Sequence, residues 1–532
     1  MIAAPLVAAT FTALAIAFFA WQCVDGLWRP DGFDYAQIAR EIVRGRGFTS
    51  QQAIYALHLE FLREHELLSA PWPNLHRFPL PSLALAGAFR LLGEGPAAVV
   101  AYGALFHAAT SALLFAWSRA ALGLAPAIAA VVLFTLNGAM LESAASGLSE
   151  PPVVFFFTLS LFAAWRGLGG SGRLWAWLLA GVALGLASLG RTNALLAGPV
   201  FGAALLVSEL RGAGGAGARR ALLGAGLFAL GLFAPMAPWM LRNLEVAGSP
   251  FFSLHTYFLL PSGTGPGWEK WDLTVPWVRE FVPPLDFARA HPDLVLAKWR
   301  RHALALLLAL PTLAGTFLVL PAALAGTVVP LRSGLRALAW LVVVAFGANA
   351  VLVSFTDFFF DKYHFHFLPA AILLSVGVLW WGVSRLVPER IRLAAFALLA
   401  LVMANPPAVV AAFREVPARA AWIDRDHFAF LREHTRPDDV VLSDQSYAVA
   451  WEADRRSVRL HYDRLEDGTP VLGALTISDE YVPIAGVHLS RAFLADPRKR
   501  QVLQDTLERV PRFRAVFPNL QRLPGGALYF SR

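Results

Sequence analysis

The sequence has few of the charged residues that a soluble protein of its length needs. Charged residues make up 15% of the 532 residues and hydrophobic residues 57%, whereas an ordinary soluble domain is about 25% charged. The charges are also unevenly distributed, with 47 in positions 1–412 and 35 in the 120 positions of 413–532. This contrast excludes a single soluble globule, a disordered chain and a fibrous protein. It predicts a membrane domain over residues 1–412 and a water-soluble domain over residues 413–532.

The sequence also lacks the residue patterns of several kinds of functional site. The single cysteine, Cys23, excludes an intrachain disulfide framework, cysteine-based zinc sites and Cys-X-X-Cys redox chemistry. The sequence lacks a basic stripe with interleaved aromatic residues, so its net charge of +8 does not indicate nucleic-acid binding. In residues 413–532, no glycine-rich phosphate loop follows a predicted strand, which argues against a nucleotide site there.

Long apolar runs predict about eleven membrane-spanning helices, because about 20 apolar residues cross the hydrocarbon core of a bilayer. These runs are 2–24, 97–118, 124–142, 151–165, 174–190, 193–210, 221–241, 302–325, 336–355, 364–384 and 393–412. The first run lacks the basic start of a signal peptide, and we interpret it as a retained anchor.

The distribution of basic residues predicts the orientation. Short connections on one side of the membrane carry eleven arginines, and those on the other carry little beyond Arg191 and Lys362. By the positive-inside rule the N-terminus is cytoplasmic, and residues 25–96, 242–301 and 413–532 face the outside.

Residues 413–532 have the pattern of a small α/β domain. Short apolar runs at 439–443, 456–460 and 526–530 predict strands, and 428–435 and 498–510 predict helices.

The first outer loop opens with two acids, Asp31 and Asp34. Ile38, Ile42 and Val43 follow at helical spacing and predict a helix that lies at the membrane interface. Two roles fit the acids: one of them caps this helix, or a carboxylate is held where membrane meets water and takes the proton of an acceptor hydroxyl.

Further charged residues on the outer side also have two interpretations each. Arg77, which follows His76 and precedes two prolines, either holds a lipid phosphate or snorkels from an interfacial helix. Glu150 either favours the dipole of the helix that it starts or is a second acid facing the first loop. Arg191 lies between two spans on the side with few cations, and we favour a phosphate ligand there.

Arg242 ends one predicted span and Lys362 precedes another, both on the outer side. Together with Arg77 and Arg191, they either converge on an anionic headgroup or serve as separate interfacial anchors. His364 and His366 are two residues apart and point about 200° from each other on a helix, which argues against a two-histidine metal site.

Taken in order, these segments resemble the polytopic GT-C glycosyltransferases that use polyprenyl-phosphate sugars. The resemblance is to the protein O-mannosyltransferase family and its bacterial relatives, including the aminoarabinose transferases of lipid A. The matching segments are 31–40, 77–80, 148–151, 191, 238–243, 362–369 and 430–460.

The resemblance implies roles for individual residues. Asp31 is similar to the first-loop acid, a base or acceptor-orienting group. Many members carry Asp-Glu where this chain has Asp31-Gly32, so Asp34 is the other candidate. Glu150 resembles the acid of the second outer loop. The implied donor-phosphate ligands are Arg77, Arg191, Arg242, Lys362 and Tyr363. Residues expected near donor or acceptor are Tyr35, His76 and His364.

The implied fold is mainly α: a GT-C-like bundle of about eleven transmembrane helices with interfacial helices in the first loop and a small C-terminal α/β domain. The implied function is inverting transfer of a hexose or pentose from a polyprenyl-phosphate donor to an acceptor hydroxyl on the external, periplasmic face of the cell membrane.

The expected partners are that donor, a glycolipid, polysaccharide or protein acceptor, and the bilayer, but not nucleic acid. No cofactor is expected, and a divalent metal is compatible with the acids without being required. The alternative function is a transporter or flippase for a lipid-linked or anionic substrate. A third is a membrane scaffold.

Overall fold

The computed structural model describes residues 3–54, 56–69, 71–169, 174–212, 214–259, 282–356, 361–423 and 425–532. Most of the predicted loop 242–301 is therefore described, but its residues 260–281 lie outside the described residues.

Helices dominate the first four fifths of the described chain. They are α1 (Ala3–Cys23), α2 (Pro30–Val43), α3 (Ala56–Glu64), α4 (Pro79–Leu92), α5 (Pro96–Leu122), α6 (Leu124–Thr135), α7 (Gly138–Ala145), α8 (Glu150–Leu168), α9 (Leu174–Ser188), α10 (Ala197–Gly212), α11 (Gly214–Ala247), α12 (Leu254–Leu259), α13 (Pro284–Ala290), α14 (Pro292–Ala309), α15 (Val319–Ala325), α16 (Ser333–Val353), α17 (Leu368–Leu386), α18 (Glu389–Met403) and α19 (Pro406–Ala420).

Shorter helices and most of the strands follow. The helices are α20 (Arg425–His434), α21 (Ser446–Ala448), α22 (Ala474–Glu480), α23 (Arg491–Ala495), α24 (Pro497–Arg509) and α25 (Pro511–Val516). Three strands come from the first loop, namely β1 (Thr49–Ser50), β2 (Gln52–Ala53) and β3 (Trp72–Pro73). The others are β4 (Val440–Ser443), β5 (Arg456–Arg459), β6 (Tyr462–Arg464), β7 (Pro470–Leu472), β8 (Ile484–Leu489), β9 (Asn519–Arg522) and β10 (Leu528–Ser531).

Membrane-spanning helices form the main body of the protein. Within the described residues, eight helical segments are long and apolar enough to cross a bilayer, and ten if each of two bent helix pairs is one span. The bent pairs are α6 with α7, at 57°, and residues 292–315 with α15, at 108°. The predicted polytopic membrane protein is therefore confirmed.

The predicted count of about eleven spans is not confirmed. The predicted span 174–190 coincides with α9, which has only 15 residues. At 1.5 Å per residue it is about 22 Å long, whereas the hydrocarbon core is about 30 Å thick. Helix α9 is nevertheless packed inside the bundle, where Trp177 is fully buried against the largest apolar core of the protein.

The C-terminal region (residues 425–532) contains a small α/β fold, as predicted. Five strands of this region and β2 of the first loop form one sheet in the order β2-β5-β4-β8-β10-β9. Strands β2, β5, β4 and β8 run parallel, and β10 pairs antiparallel with β8 and β9. The apolar strand Val440–Ser443 is buried along its whole length, which explains its central position.

The first loop is built into that sheet. Strand β2, which lies between α2 and α3, pairs with β5 through Gln52 opposite Ser457 and Ala53 opposite Val458. Ala53, Leu59 and Leu62 from this loop are buried in the same apolar core as β4 and β8. The loop that carries the candidate acids and the C-terminal region therefore form one packed unit.

Candidate active site

Helix α2 presents both acids of the first loop on one face. Pro30 is its first residue and Arg29 occupies the cap position without a side-chain cap hydrogen bond. Neither Asp31 nor Asp34 is therefore the helix cap, which leaves both carboxylates available for other partners. Residues three apart lie on the same side of a helix, so the two carboxylates point in one direction.

A glycine allows α2 to approach the helices of the bundle. A Cβ on Gly32 would lie 2.0 Å from the backbone oxygen of Ser146, in the turn between α7 and α8. Only a residue without a side chain permits this contact. It brings Asp31 and Asp34 close to the start of α8, where Glu150 lies.

Asp34 is completely enclosed. Its side chain is 0% exposed, and its Oδ2 accepts hydrogen bonds from Arg77 Nε at 2.5 Å and His76 Nε2 at 2.8 Å. Its Oδ1 accepts one from Gln37 Nε2 at 3.0 Å. Three donors therefore bind this carboxylate, and its side chain has no surface open to solvent.

Asp31 is the accessible acid. Its side chain is 27% exposed, and each of its oxygens accepts one bond, from Arg77 Nη2 at 2.7 Å and from Lys362 Nζ at 2.7 Å. Lys362 is itself 28% exposed. The ion pair between Asp31 and Lys362 is thus the part of this cluster that opens to the surroundings.

The cations keep both acids ionised. Burial alone would raise the pKa of Asp31, but Arg77 and Lys362 outweigh it and hold that pKa well below its usual range. Burial is likewise outweighed at Asp34, where Arg77 and His76 lower the pKa far below the ordinary value. In the structure as it stands, both groups are carboxylates at neutral pH and are therefore weak bases.

A second ion pair lies beside the first cluster. Arg191 Nη2 donates to Glu150 Oε1 at 2.6 Å and Arg191 Nε to Ser149 Oγ at 3.0 Å. Its Nη1 also donates to the backbone oxygen of Lys362 at 3.3 Å, and its guanidinium lies 5.3 Å from the ring centre of Tyr363. Glu150 and Arg191 thus neutralise each other and brace the segment that carries Lys362.

Tyr35 connects the two clusters. Its ring centre lies 5.1 Å from the Arg77 guanidinium carbon. Burial raises the pKa of its hydroxyl, with Arg77 acting in the opposite direction, and the hydroxyl also interacts with Ser149. Tyr35 is 5% exposed and interacts electrostatically with both Arg77 and Arg191.

Arg242 lies at the edge of the site and differs from the other cations. Its guanidinium carbon lies 4.8 Å from the ring centre of Trp239 and 5.9 Å from that of Phe48. It donates to the backbone oxygen of Asn74 at 2.9 Å and to Asn243 Oδ1 at 3.0 Å. Among the described residues no carboxylate pairs with Arg242, so its positive charge is not compensated.

Two predicted histidines are buried among side chains of the protein. His76 is 2% exposed and donates to Asp34, because an ionised carboxylate only accepts hydrogen bonds. His364 is 3% exposed, lies against Phe346 and has its Nδ1 3.0 Å from Asn349 Nδ2. The structure therefore joins five of the predicted site residues in one network, namely Asp31, Asp34, His76, Arg77 and Lys362. Arg191, with Glu150 and Tyr363, lies beside this network, Arg242 is linked to the first loop through Asn74, and His364 is enclosed among neighbouring side chains.

Two residues of the site were missed by the sequence analysis. Gln37, one turn after Asp34, supplies a hydrogen bond to it, and its helical spacing was the available signal. His255 lies with its ring centre 6.0 Å from that of His76. Burial, Arg77 and His76 together lower the pKa of His255 to about 3, so its ring is neutral. No spacing or motif in the sequence marks it.

The acids do not form a metal cage. Across the described ranges, no group of three or more His, Cys, Asp or Glu residues is placed to hold a metal ion. Arg77 and Lys362 occupy the oxygens of Asp31, and Arg191 occupies Glu150. In this structure, cations of the chain are therefore the partners of both Asp31 and Glu150.

Comparisons with known proteins agree with the predicted resemblance. A family model described as dolichyl-phosphate-mannose-protein mannosyltransferase matches residues 73–239, which include Arg77, Glu150 and Arg191. No curated protein sequence matches the chain significantly.

Solved structures share the fold over nearly the whole chain. ArnT from Cupriavidus metallidurans bound to undecaprenyl phosphate has a TM-score of 0.61 and 14% identity, over 99% of this chain and 97% of that one. The archaeal oligosaccharyltransferase AglB from Archaeoglobus fulgidus, in complex with an inhibitory peptide and a dolichol-phosphate, has a TM-score of 0.60 and 14% identity, over 99% of this chain and 74% of that one. The resemblance to the GT-C group is thereby confirmed, and the fold is similar to that of ArnT.

Proposed function

We propose that this multi-pass membrane protein is a glycosyltransferase that moves a sugar from a polyprenyl-phosphate donor to an acceptor hydroxyl, with inversion at the anomeric carbon. The observation that carries the proposal is the partly exposed ion pair of Asp31 with Lys362 beside Arg77. Arg242, whose charge no carboxylate among the described residues compensates, bonds to Asn74 in the segment that carries Arg77. An acid beside several cations at a membrane surface suits a reaction in which a hydroxyl attacks and a lipid phosphate leaves. The family match over residues 73–239 and the ArnT-like fold support the same function.

Arg242 is assigned the first contact with the donor phosphate. A cation that has no carboxylate partner can bind an anion without breaking an existing ion pair. Its flat guanidinium also matches the oxygens of a phosphate group and stacks on Trp239. Arg242 therefore adds attraction for the donor that the paired Arg191 cannot supply.

Lys362 and Arg77 are assigned the contacts that the phosphate makes after it has met Arg242. The phosphate replaces Asp31 as the partner of these two cations, and Asp31 loses the charges that hold its pKa low. Its proton affinity then rises because an unpaired, partly buried carboxylate is a stronger base. Donor binding thus converts Asp31 from a saturated ion-pair partner into a group able to accept the proton of the acceptor hydroxyl.

The bond changes balance without a further reactant. The acceptor oxygen forms a bond to the anomeric carbon, the bond from that carbon to the phosphate oxygen breaks, and Asp31 takes the hydroxyl proton. The departing polyprenyl phosphate keeps the electron pair and gains one negative charge, which the neighbouring cations stabilise. Asp34 does not touch substrate; it fixes Arg77 and His76 in place.

We also propose how the protein is oriented in the membrane, which class of acceptor it uses and that it needs no metal ion. We infer that the first loop and the C-terminal region face the outside of the cell membrane, as the basic connections predict. The acceptor is a hydroxyl of a glycolipid, a polysaccharide or a protein. Because cations of the chain neutralise both acids, the reaction is proposed to need no divalent metal.

A transfer assay tests the function. The purified protein in detergent is incubated with a panel of radiolabelled polyprenyl-phosphate sugars and a membrane-lipid extract, and labelled product and donor hydrolysis are measured. Asp31→Asn is compared with Asp286→Asn, a control at the exposed start of α13 whose side chain is 57% exposed.

We expect transfer or slow donor hydrolysis by the wild type and by the Asp286→Asn control, and its loss in Asp31→Asn. If the folded wild type neither binds nor consumes any donor of the panel, the glycosyltransferase proposal is wrong, and transport of lipid-linked substrates in liposomes is measured next.

A further inference from the structure

The C-terminal region has the topology of a ligand-binding domain. Strand β4 is flanked by β5 on one side and β8 on the other, all three parallel. The chain runs from β4 to β5 and then crosses back to β8. In open α/β sheets of this kind, ligands bind in the crevice beyond the carboxyl ends of the strands where the order reverses.

Here the loops at that edge contact other parts of the chain. Asp444, directly after β4, accepts hydrogen bonds from the backbone nitrogen of Ser490 at 2.8 Å and from its hydroxyl at 2.5 Å, which ties the β4 loop to the β8 loop. Tyr447 then lies against Phe33 of α2, with ring centres 5.4 Å apart. The post-β4 segment (residues 444–454) thus packs on the helix that carries Asp31 and Asp34.

Arg40 bonds directly from α2 to this segment. This α2 side chain is 6% exposed and donates to the backbone oxygens of Ala450 at 2.6 Å and Trp451 at 2.8 Å. It also pairs with Asp454 at 3.0 Å and lies 4.8 Å from the ring centre of Trp451. Ala450 and Trp451 belong to a π-helical turn, Val449–Ala453, whose carbonyl groups Arg40 satisfies.

A chain of hydrogen bonds continues from the sheet to the buried acid. The Ser457 nitrogen in β5 donates to the Gln51 oxygen at 2.8 Å, and the Gln51 nitrogen donates to Gln37 Oε1 at 2.9 Å. Gln37 Nε2 donates in turn to Asp34 Oδ1 at 3.0 Å. The position of Asp34, and through it that of Arg77, is therefore linked to the C-terminal sheet.

We propose that the C-terminal region positions the active site by holding helix α2 in place. It does so with the loops at the carboxyl ends of its parallel strands, the edge at which open α/β sheets commonly bind ligands. Arg40 and Gln37 of α2 are the positioning residues, because they connect α2 to this region. This inference rests on the proposed function, since the residues that α2 positions are the proposed catalytic cluster of Asp31, Arg77 and Lys362.

The test compares Arg40→Gln, Arg40→Lys and Gln37→Met with a matched control, Arg46→Gln. Arg46 follows α2, is 50% exposed, and pairs with Glu41 of α2 instead of with residues 445–454. For each full-length variant in detergent, kcat and the donor KM are measured. The kcat is calculated from the concentration of protein that binds undecaprenyl phosphate. Hydrogen–deuterium exchange is measured over residues 30–43 and 445–454.

We expect Arg40→Gln to lower kcat by about 10- to 100-fold, the scale of a misplacement of about 1 Å, with a smaller effect on the donor KM. Arg40→Lys, which keeps one donor group and the charge, recovers part of the loss. Exchange rises in both peptides for Arg40→Gln and rises in the α2 peptide for Gln37→Met. For Arg46→Gln, exchange over residues 445–454 is unchanged, because Arg46 pairs with α2 alone.

Wild-type kcat and wild-type exchange in Arg40→Gln overturn the inference. So does a loss of kcat that disappears when activity is expressed per donor-binding molecule, because that result indicates a stability effect alone. If the wild type transfers no sugar, the proposed function fails, and the exchange measurements still decide whether Arg40 holds α2 to the C-terminal region.

Discussion

Replacing the two first-loop acids by their amides should produce opposite effects on stability and activity. Asp34 is 0% exposed and accepts three hydrogen bonds, whereas Asp31 is 27% exposed and accepts two. The Asp34→Asn change leaves the buried Arg77 with only one of its two carboxylates. Breaking a buried ion pair costs about 3–5 kcal/mol, and because Asp31 still pairs with Arg77 we expect about 3 kcal/mol.

Asp31→Asn should lower the free energy of unfolding less than Asp34→Asn does, and should lower the rate of transfer more. Its pairs are partly solvated, so we expect about 1 kcal/mol or less of lost stability. Removing the proton acceptor should lower the rate by about 10²- to 10⁴-fold. Asp34→Asn should keep more activity in the molecules that remain folded, because Asp34 does not contact the reacting atoms.

Two measurements on the same preparations separate these effects. Thermal unfolding in detergent, followed by tryptophan fluorescence at a fixed scan rate, reports relative stability. Donor consumption per folded molecule reports the chemistry. The reasoning is refuted if Asp34→Asn unfolds at the wild-type temperature, or if Asp31→Asn turns over donor at the wild-type rate.

Three further results are expected. Arg242→Ala should raise the donor KM by about tenfold or more, the usual effect of losing a charge-assisted contact, while Arg289→Ala, a control 76% exposed, leaves it unchanged; equal values for both variants would contradict the role of Arg242. An excess of EDTA should leave the transfer rate within about twofold of its untreated value, and a loss restored by added Mg²⁺ or Mn²⁺ would show a metal requirement. Because the folded pKa of Asp34 lies below its unfolded value of about 3.9, its contribution to stability is complete above that pH and declines as the pH falls further; wild type should therefore lose more stability than Asp34→Asn between about pH 4 and pH 2, and parallel pH curves would contradict this.

The order of the sequence motifs predicted that the candidate cations share one side of the membrane, but left open whether they meet. Arg77, Arg191 and Lys362 were placed on one side of the membrane from the alternation of spans, and the structure puts them within one network around Asp31. What each cation does there was not predictable, because the same charge serves as a free ligand or as an ion-pair partner depending on its distance to a carboxylate.

Which of Asp31 and Asp34 is exposed could also be learned only from the structure. Their spacing puts both on the same face of α2, but exposure depends on how far that face is covered by Arg77, His76 and Gln37. Strand β2 could not be predicted from the sequence either, since two residues of the first loop pair with a strand about 400 positions later. Local pattern carries no information about pairing at that separation.

The most direct test of the account is a structure of the Asp31→Asn protein with a polyprenyl-phosphate sugar bound. The account predicts a phosphate within about 3 Å of Arg242 and Lys362, a sugar whose anomeric carbon faces residue 31, and a broken contact between residue 31 and Lys362. A phosphate bound elsewhere, with Lys362 still joined to residue 31 and Arg242 away from the donor, would contradict the assignment of this site as the place of glycosyl transfer.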